Sequence, residues 1–219
     1  MKIIITGANR GIGFELAKYY SLQGHNVTSF VRKPSEEILK LPIQVVENVD
    51  VSDEEKVNEA ISSLQGTKID LLINNAGIMG TTTLENMDSN AIKKQFDVNA
   101  LAPLIMSNKM LPLMNENSKI VMITSRMGSI QDNSSGGSYG YRMSKAALNA
   151  AAKSLALDLR DRKVSVGILH PGWVQTSMTA NSGHLSAEQS ALLLKDRIEQ
   201  LNLENSGTFW HCDGSKLPW

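Results

Sequence analysis

The chain has 219 residues and a mass of 23.9 kDa, enough for one domain with a substantial core. Lysine plus arginine and aspartate plus glutamate balance at 22 each, so no overall field directs it to nucleic acid or an anionic membrane. The single cysteine, Cys212, excludes an intrachain disulfide framework, and no window approaches the run of about eighteen apolar residues that a membrane span needs.

Short β-branched runs alternate with longer amphipathic segments. The first strand is predicted at 2–6, KIIIT, whose apolar run is too short to read as a signal peptide, and a cytoplasmic protein is expected. Directly after it come Thr6, Gly7, Ala8, Asn9, Arg10, Gly11, Ile12 and Gly13, opening a helix predicted at 11–24 that Gly24 stops. Glycines there allow a tight turn and close approach of backbone to a pyrophosphate at the positive end of the helix. The spacing is Gly-x3-Gly-x-Gly, and Phe14 stands where a nucleotide-triphosphatase phosphate loop needs Lys. The second strand, 26–31, runs into Arg32 and Lys33 with no acid at its end. An NAD site places an acid there to hold the ribose hydroxyls, whereas Arg suits a 2′-phosphate, which Arg10 could also meet. NADP(H) is therefore expected in preference to NAD(H).

Further strands are predicted at 43–48, 69–74, 118–124, 163–169 and 207–212, and helices at 53–65, 88–115, 138–161 and 186–201. Ser52 is expected to cap the helix at 53–65, with Glu55 in the capping-box position. The early strands are continuous apolar runs, as in parallel sheets buried on both faces. This alternation predicts an α/β fold over 1–219, a Rossmann-type doubly wound parallel sheet with helices on both faces. The long polar stretches, 126–138 and 176–187, both follow strands, at the edge where such sheets bind ligands.

The segment around Tyr141-Arg-Met-Ser-Lys145 opens an Ala/Leu-rich run of strong helix propensity. Positions i and i+4 share a helix face, so the Tyr141 phenol and the Lys145 ammonium are expected side by side. A phenol titrates near pH 10, too high for ready exchange at neutrality, and a neighbouring positive charge is expected to lower that value and make an acid/base of it.

Together these pieces resemble the short-chain dehydrogenase/reductase family in its compact, single-domain branch. The matching residues are TGANRGIG at 6–13, DV at 50–51, NNAG at 74–77, Asn99, Ser125, YRMSK at 141–145 and PGWVQT at 171–176. Within the family the chain is most similar to C-factor-like and sniffer-like carbonyl reductases, from its length, SRMGSI after the fifth strand, and the ending GTFWHCDGSKLPW.

The resemblance implies a set of roles. Tyr141 exchanges a proton with a substrate carbonyl or alcohol oxygen, which Ser125 orients. Lys145 holds the nicotinamide ribose, and Asn99 holds a water that relays protons from it. Asp50 and Val51 contact adenine, Asn75, Ala76 and Gly77 pass beneath its ribose, and Val174 and Thr176, in the segment begun by Pro171 and Gly172, hold the carboxamide. Sixteen positions separate Ser125 from Tyr141, more than is usual in the family, because of the NSSGGS insertion at 133–138; Ser129 is the alternative serine. Tyr139 has Met143 at i+4 and is expected at the substrate mouth. Met79, Met127, Trp173 and Met178 are expected around the nicotinamide, favouring an apolar substrate, and 176–189 is expected to form a mobile flap. The four histidines show no paired spacing, so no metal is expected.

Along the helix after Tyr141, one face (Tyr141, Lys145, Leu148, Ala152, Leu155, Leu159) is expected on the sheet. A second, of Ala147, Ala151 and Ser154, permits close helix–helix approach. The family resemblance implies a homodimer there, a tetramer or monomer being the alternatives. The expected partner is otherwise a small carbonyl or alcohol substrate. The rival functional reading is an NADP(H)-binding signalling protein with little turnover. An epimerase or dehydratase on nucleotide sugars would need more chain after Pro171.

Overall fold

The strand residues of this chain bury both faces, and the period of two sorts them. In the computed structural model, which describes residues 1–64 and 66–219, Ile3, Ile5, Leu71, Ile73 and Val121 pack on one side. Ile4, Leu72, Ile120, Met122 and Val166 pack on the other. The strands are β1 (Lys2–Thr6), β2 (Asn26–Phe30), β3 (Gln44–Val46), β4 (Ile69–Asn74), β5 (Met114–Ile123), β6 (Ser165–His170) and β7 (Phe209–His211). They form one parallel sheet in the order β3-β2-β1-β4-β5-β6-β7.

Helices cover both faces, as the alternation predicts. Leu16, Ala17 and Tyr20 of α1 (Gly11–Leu22), Ile38 of α2 (Glu36–Leu39) and Ala191, Leu194 and Ile198 of α7 (Ala187–Gln200) join the first core. Val57 and Ala60 of α3 (Glu54–Ser62), Met106 and Met110 of α5 (Ala102–Met110) and Leu148, Ala152 and Leu155 of α6 (Tyr139–Asp158) join the second. No helix among the described residues is long and apolar enough to cross a membrane.

Three local expectations need correction, and one helix was not foreseen. The helix predicted at 88–115 is broken into α4 (Ser89–Phe96), a π turn at Asp97–Leu101, α5 and a 3-10 turn at Leu111–Leu113. Pro103 has no N–H for the carbonyl of Asn99, its partner in a regular helix, and Pro112 marks the second break. The strand predicted from 118 begins at Met114, which pairs with Ile69 across a shift in register. The helix predicted at 53–65 is capped by Asp53, which accepts from the Glu55 and Lys56 amides at 3.0 and 3.2 Å. The hydroxyl of Ser52 turns instead to Asp50 at 2.7 Å. The end of that predicted helix, at 65, lies outside the described residues. The unforeseen α2 is capped by Ser35, whose hydroxyl accepts from the Ile38 amide at 3.3 Å.

Candidate active site and cofactor cleft

The strand order reverses between β1 and β4, and the loops leaving their carboxyl ends are tied together there. Asn75 Nδ2 donates to the carbonyls of Thr6 and Gly7 at 3.1 and 3.0 Å. The Thr6 hydroxyl accepts from the Asn75 and Ala76 amides, both at 3.1 Å. Gly7 has φ +68°, and a Cβ on it would stand 2.8 Å from the Ala76 Cα. A Cβ on Gly13 would stand 2.7 Å from the Gly7 carbonyl oxygen, so the turn admits only glycine at both places. Asn75 thus holds the turn with its side chain, a scaffolding task that the motif alone did not reveal. Thr6 shares it and was missed; its place at the strand end was the available signal.

The first turn of α1 has no acidic side chain, and its N-cap, Arg10, offers no side-chain acceptor. By contrast α3, α4 and α7 are capped by Asp53, Asp88 and Ser186. The amides of Gly11, Ile12 and Gly13 therefore head a helix built for an external anion. Arg10, Arg32 and Lys33 are exposed beside this end, and Asn9 joins the two loops that carry them. Asn9 Nδ2 donates to the Lys33 carbonyl at 3.1 Å, while its own carbonyl accepts from the Ser35 hydroxyl at 2.8 Å. Half-buried Asp50 and Val51 lie beyond β3. Burial pushes the Asp50 carboxyl up, but bonds from Ser52 and the charges of Arg32 and Lys94 outweigh it, and its pKa stays below the ordinary value. This donor set fits a dinucleotide with an extra phosphate on its adenosine half.

At the other end of the crevice, β5 and α6 bring Ser125, Tyr141 and Lys145 together. All three are buried, at 7, 8 and 5 % exposure. Lys145 Nζ donates to the Ile123 carbonyl at 2.9 Å and stands 5.8 Å from the Tyr141 ring centroid. The Ser125 hydroxyl accepts from the Met127 amide at 3.1 Å, which fixes its rotamer and leaves its hydrogen free. Ser129 is more deeply buried, and its hydroxyl accepts from the Asp132 amide at 3.1 Å.

The electrostatics differ from the sequence expectation. Burial raises the Tyr141 pKa, and the neighbouring Ser125 hydroxyl pulls it back down. Burial also pushes Lys145 down to about 8. Helical spacing puts the two groups on one face, yet it says nothing of the water both lose, and desolvation disfavours phenolate and ammonium alike.

Asn99 sits in the π turn at 1 % exposure. Its Oδ1 accepts from the Ile78 amide at 2.8 Å, and its Nδ2 donates to the Ile78 carbonyl at 2.8 Å and to the Ser144 hydroxyl at 3.0 Å. Both Nδ2 hydrogens are used, so the side chain pins the loop after β4 to α6. Ser144 completes the link by donating to the Tyr141 carbonyl at 2.8 Å. Its position inside YRMSK was the only sign of this role.

The inserted segment 133–138 is a loop, as expected, and Arg142 clips it with bonds to the Gly136 carbonyl at 3.2 Å and the Ser135 hydroxyl at 2.9 Å. Tyr139 is half-buried at the start of α6, its amide donating to the Thr82 carbonyl at 3.3 Å. After β6, Gly172 takes φ +87°, buried Val174 bridges Leu185, and the Pro171 carbonyl accepts from the Ser190 hydroxyl at 2.7 Å. The segment expected to be a mobile flap is folded on itself. A 3-10 turn at Ser177–Thr179 is boxed by Thr176 and Thr179, and the Gln175 amide donates to the Leu185 carbonyl at 2.9 Å. Thr176 reaches the Gly-rich turn, its Cγ2 lying 3.4 Å from the Cβ position of Gly11. Trp173, Met79 and Met178 are partly exposed around these loops.

The family described as short chain dehydrogenase matches residues 1–186. Over 223 residues the chain is 34 % identical to 1-hydroxy-2-glutathionyl-2-methyl-3-butene dehydrogenase of Rhodococcus sp. (strain AD45), covering 99 % of both chains. It is 42 % identical over 154 residues to C-signal of Myxococcus xanthus, covering 69 % of this chain and 93 % of that one. Among solved structures, the NADPH-bound carbonyl reductase from chicken fatty liver superposes with a TM-score of 0.90 at 27 % identity, over 100 % of this chain and 98 % of that one. Carbonyl reductase Sniffer of D. melanogaster superposes with a TM-score of 0.87 at 28 % identity, over 100 and 99 %.

Proposed function

We propose that this chain, which belongs to the short-chain dehydrogenase family, is an NADP(H)-dependent carbonyl reductase that interconverts a ketone or aldehyde with its alcohol. The observation that carries the reading is the convergence of Ser125, Tyr141 and Lys145 beside a Gly-rich turn whose helix amides await an anion. When bound, the nicotinamide supplies or takes the hydride. The chain's own residues do the rest. The amides of Gly11 to Gly13 hold the pyrophosphate. Arg10 and Arg32 read the 2′-phosphate, in keeping with the NADPH carried by the chicken enzyme. Asp50 and Val51 flank the adenine, and Val174 and Thr176 the carboxamide.

In the reduction direction Tyr141 gives its phenolic proton to the substrate oxygen, and the free hydrogen of Ser125 bonds the same atom. Two donors on one oxygen orient the carbonyl and stabilise the charge that develops on it. Lys145, with two hydrogens beyond its bond to Ile123, holds the ribose and returns a proton toward Tyr141. With the Asn99 side chain committed to Ile78 and Ser144, its part in a proton relay falls to its backbone carbonyl, which Pro103 leaves without a regular helix donor. The chain acts in the cytoplasm, as a homodimer.

The likeness to C-signal supports a second reading, a signalling protein with little turnover. Tyr141→Phe separates the two. On the reductase reading the variant binds NADPH as tightly as wild type and loses at least about a thousandfold in NADPH-linked carbonyl reduction. Undiminished reduction would remove Tyr141 from the chemistry.

A further inference from the structure

A second cleft, of about 580 Å³, lies past the ends of β6 and β7, lined by Arg126, His170, Trp173, His184, His211 and Asp213 among others. Its volume falls within the roughly 300–1,000 Å³ usual for small-molecule sites. It adjoins the reaction site through the chain itself, for Arg126 follows Ser125, and Trp173 precedes Val174. Among the described residues no group of three His, Cys, Asp or Glu side chains could hold a metal ion.

The cleft is rich in donors. Arg126 spends Nε and one Nη2 hydrogen on Asp132, and its Nη1 has no hydrogen-bond partner among the described residues. His211 Nδ1 accepts from the Asp213 amide at 3.2 Å and lies 3.0 Å from Asp213 Oδ2; with Nδ1 accepting, the ring hydrogen stands on Nε2, which has no partner among the described residues. The rings of His170 and His211 meet edge to face at 5.0 Å, as do those of Trp173 and His184. His170 Nδ1 is buried with no partner. Burial first, then His211 and Arg126, push the His170 pKa down to about 3, so this ring stays neutral. Two carboxylates stand near, Asp132 paired to Arg126 and Asp213 in the lining, and Asp213 is answered locally. Its Oδ1 accepts from the Ser215 amide at 2.8 Å and hydroxyl at 2.7 Å, and the Arg197 guanidinium packs against the adjoining Gly214.

We propose that this cleft is a subsite for the end of the substrate remote from the reacting carbonyl, and that it binds a carboxylate there through Arg126 and His211. The proposal rests on the reductase reading and narrows its substrate class to carbonyl compounds carrying an acid at a distance. Arg126 has the free Nη1 edge that a carboxylate bonds, its plane already set by Asp132. Trp173 supplies an aromatic wall for the apolar stem between the two ends.

The test is a series of ω-oxo-carboxylates of increasing chain length and their methyl esters, assayed with NADPH. The acid-to-ester ratio of kcat/KM is taken within each protein, so loss of folded enzyme cancels. The proposal expects one chain length at which the acid is favoured about tenfold or more, the scale of a charged hydrogen bond, and a ratio near one in Arg126→Gln. A ratio near one at every length in wild type overturns the subsite and leaves the reductase reading standing. If neither acid nor ester is reduced, calorimetric titration with the same acids decides. Saturable heat in wild type that Arg126→Gln loses upholds carboxylate binding in the cleft while counting against the reductase reading, and no heat in either protein overturns the subsite.

Discussion

Lys145 carries the most revealing electrostatics of any single residue. Burial lowers its pKa from 10.5 to about 8, so the folded state disfavours the ammonium. The protonated side chain therefore costs stability in full below about pH 8; the cost declines as pH rises toward 10.5 and is absent above it. At 1.36 kcal/mol per pKa unit that is about 3 kcal/mol, against about 1.5–3 kcal/mol for the charged bond to the Ile123 carbonyl. Lys145→Met is thus expected to unfold in urea with up to about 1.5 kcal/mol more stability than wild type at pH 7, and with no advantage above pH 10.5. A variant less stable than wild type at pH 7 would mean that the ammonium is better solvated than its 5 % exposure implies. The same residue marks a limit of reading sequence. Spacing gave the Tyr141–Lys145 neighbourhood, but the direction of the Tyr141 shift depends on burial, which comes from α4, α6 and the 79–82 loop closing together.

Among the elements, α3 and the α4–α5 segment mark where local rules succeed and fail. Asp53 and Ser52 are both acceptable caps by composition, and the chain chose Asp53 because Ser52 is drawn to Asp50. Asp53→Ala should cost about 1 kcal/mol in thermal or chemical unfolding, and Ser52→Ala only a few tenths. A reversal of that order would contradict the capping assignment. The break of the predicted 88–115 helix was legible in Pro103 and Pro112, which the helical pattern read across the whole segment passed over. What no local pattern carries is the consequence of the π turn, which rotates Asn99 inward to bond Ile78 and Ser144. Asn99→Ala should leave the Ile78 amide and carbonyl unpaired, lowering stability by about 2–4 kcal/mol in chemical unfolding. A loss under 1 kcal/mol would mean that water replaces the side chain.

For the whole molecule, the order of elements and the doubly wound sheet were legible because parallel strands buried on both faces read as apolar runs. The folding of the 176–185 segment back on itself was not, since its Thr176–Thr179 box involves residues that suit any surface turn. Phe96 at the end of α4, Leu101 in the π turn and Met143 on α6 are 41, 42 and 54 % exposed, and the proposed dimer would bury them. Leu101→Glu is expected to shift a dimer to monomer in sedimentation equilibrium, whereas a wild type already monomeric at high concentration would refute pairing.

The most direct measurement is a pair of calorimetric titrations, NADPH and NADH against the same wild-type protein. With Arg10 and Arg32 exposed beside the α1 amides and no acid ending β2, NADPH should bind at least about tenfold tighter than NADH. Equal binding, or a preference for NADH, would contradict the phosphate-reading arginines. Binding of neither would contradict the oxidoreductase itself.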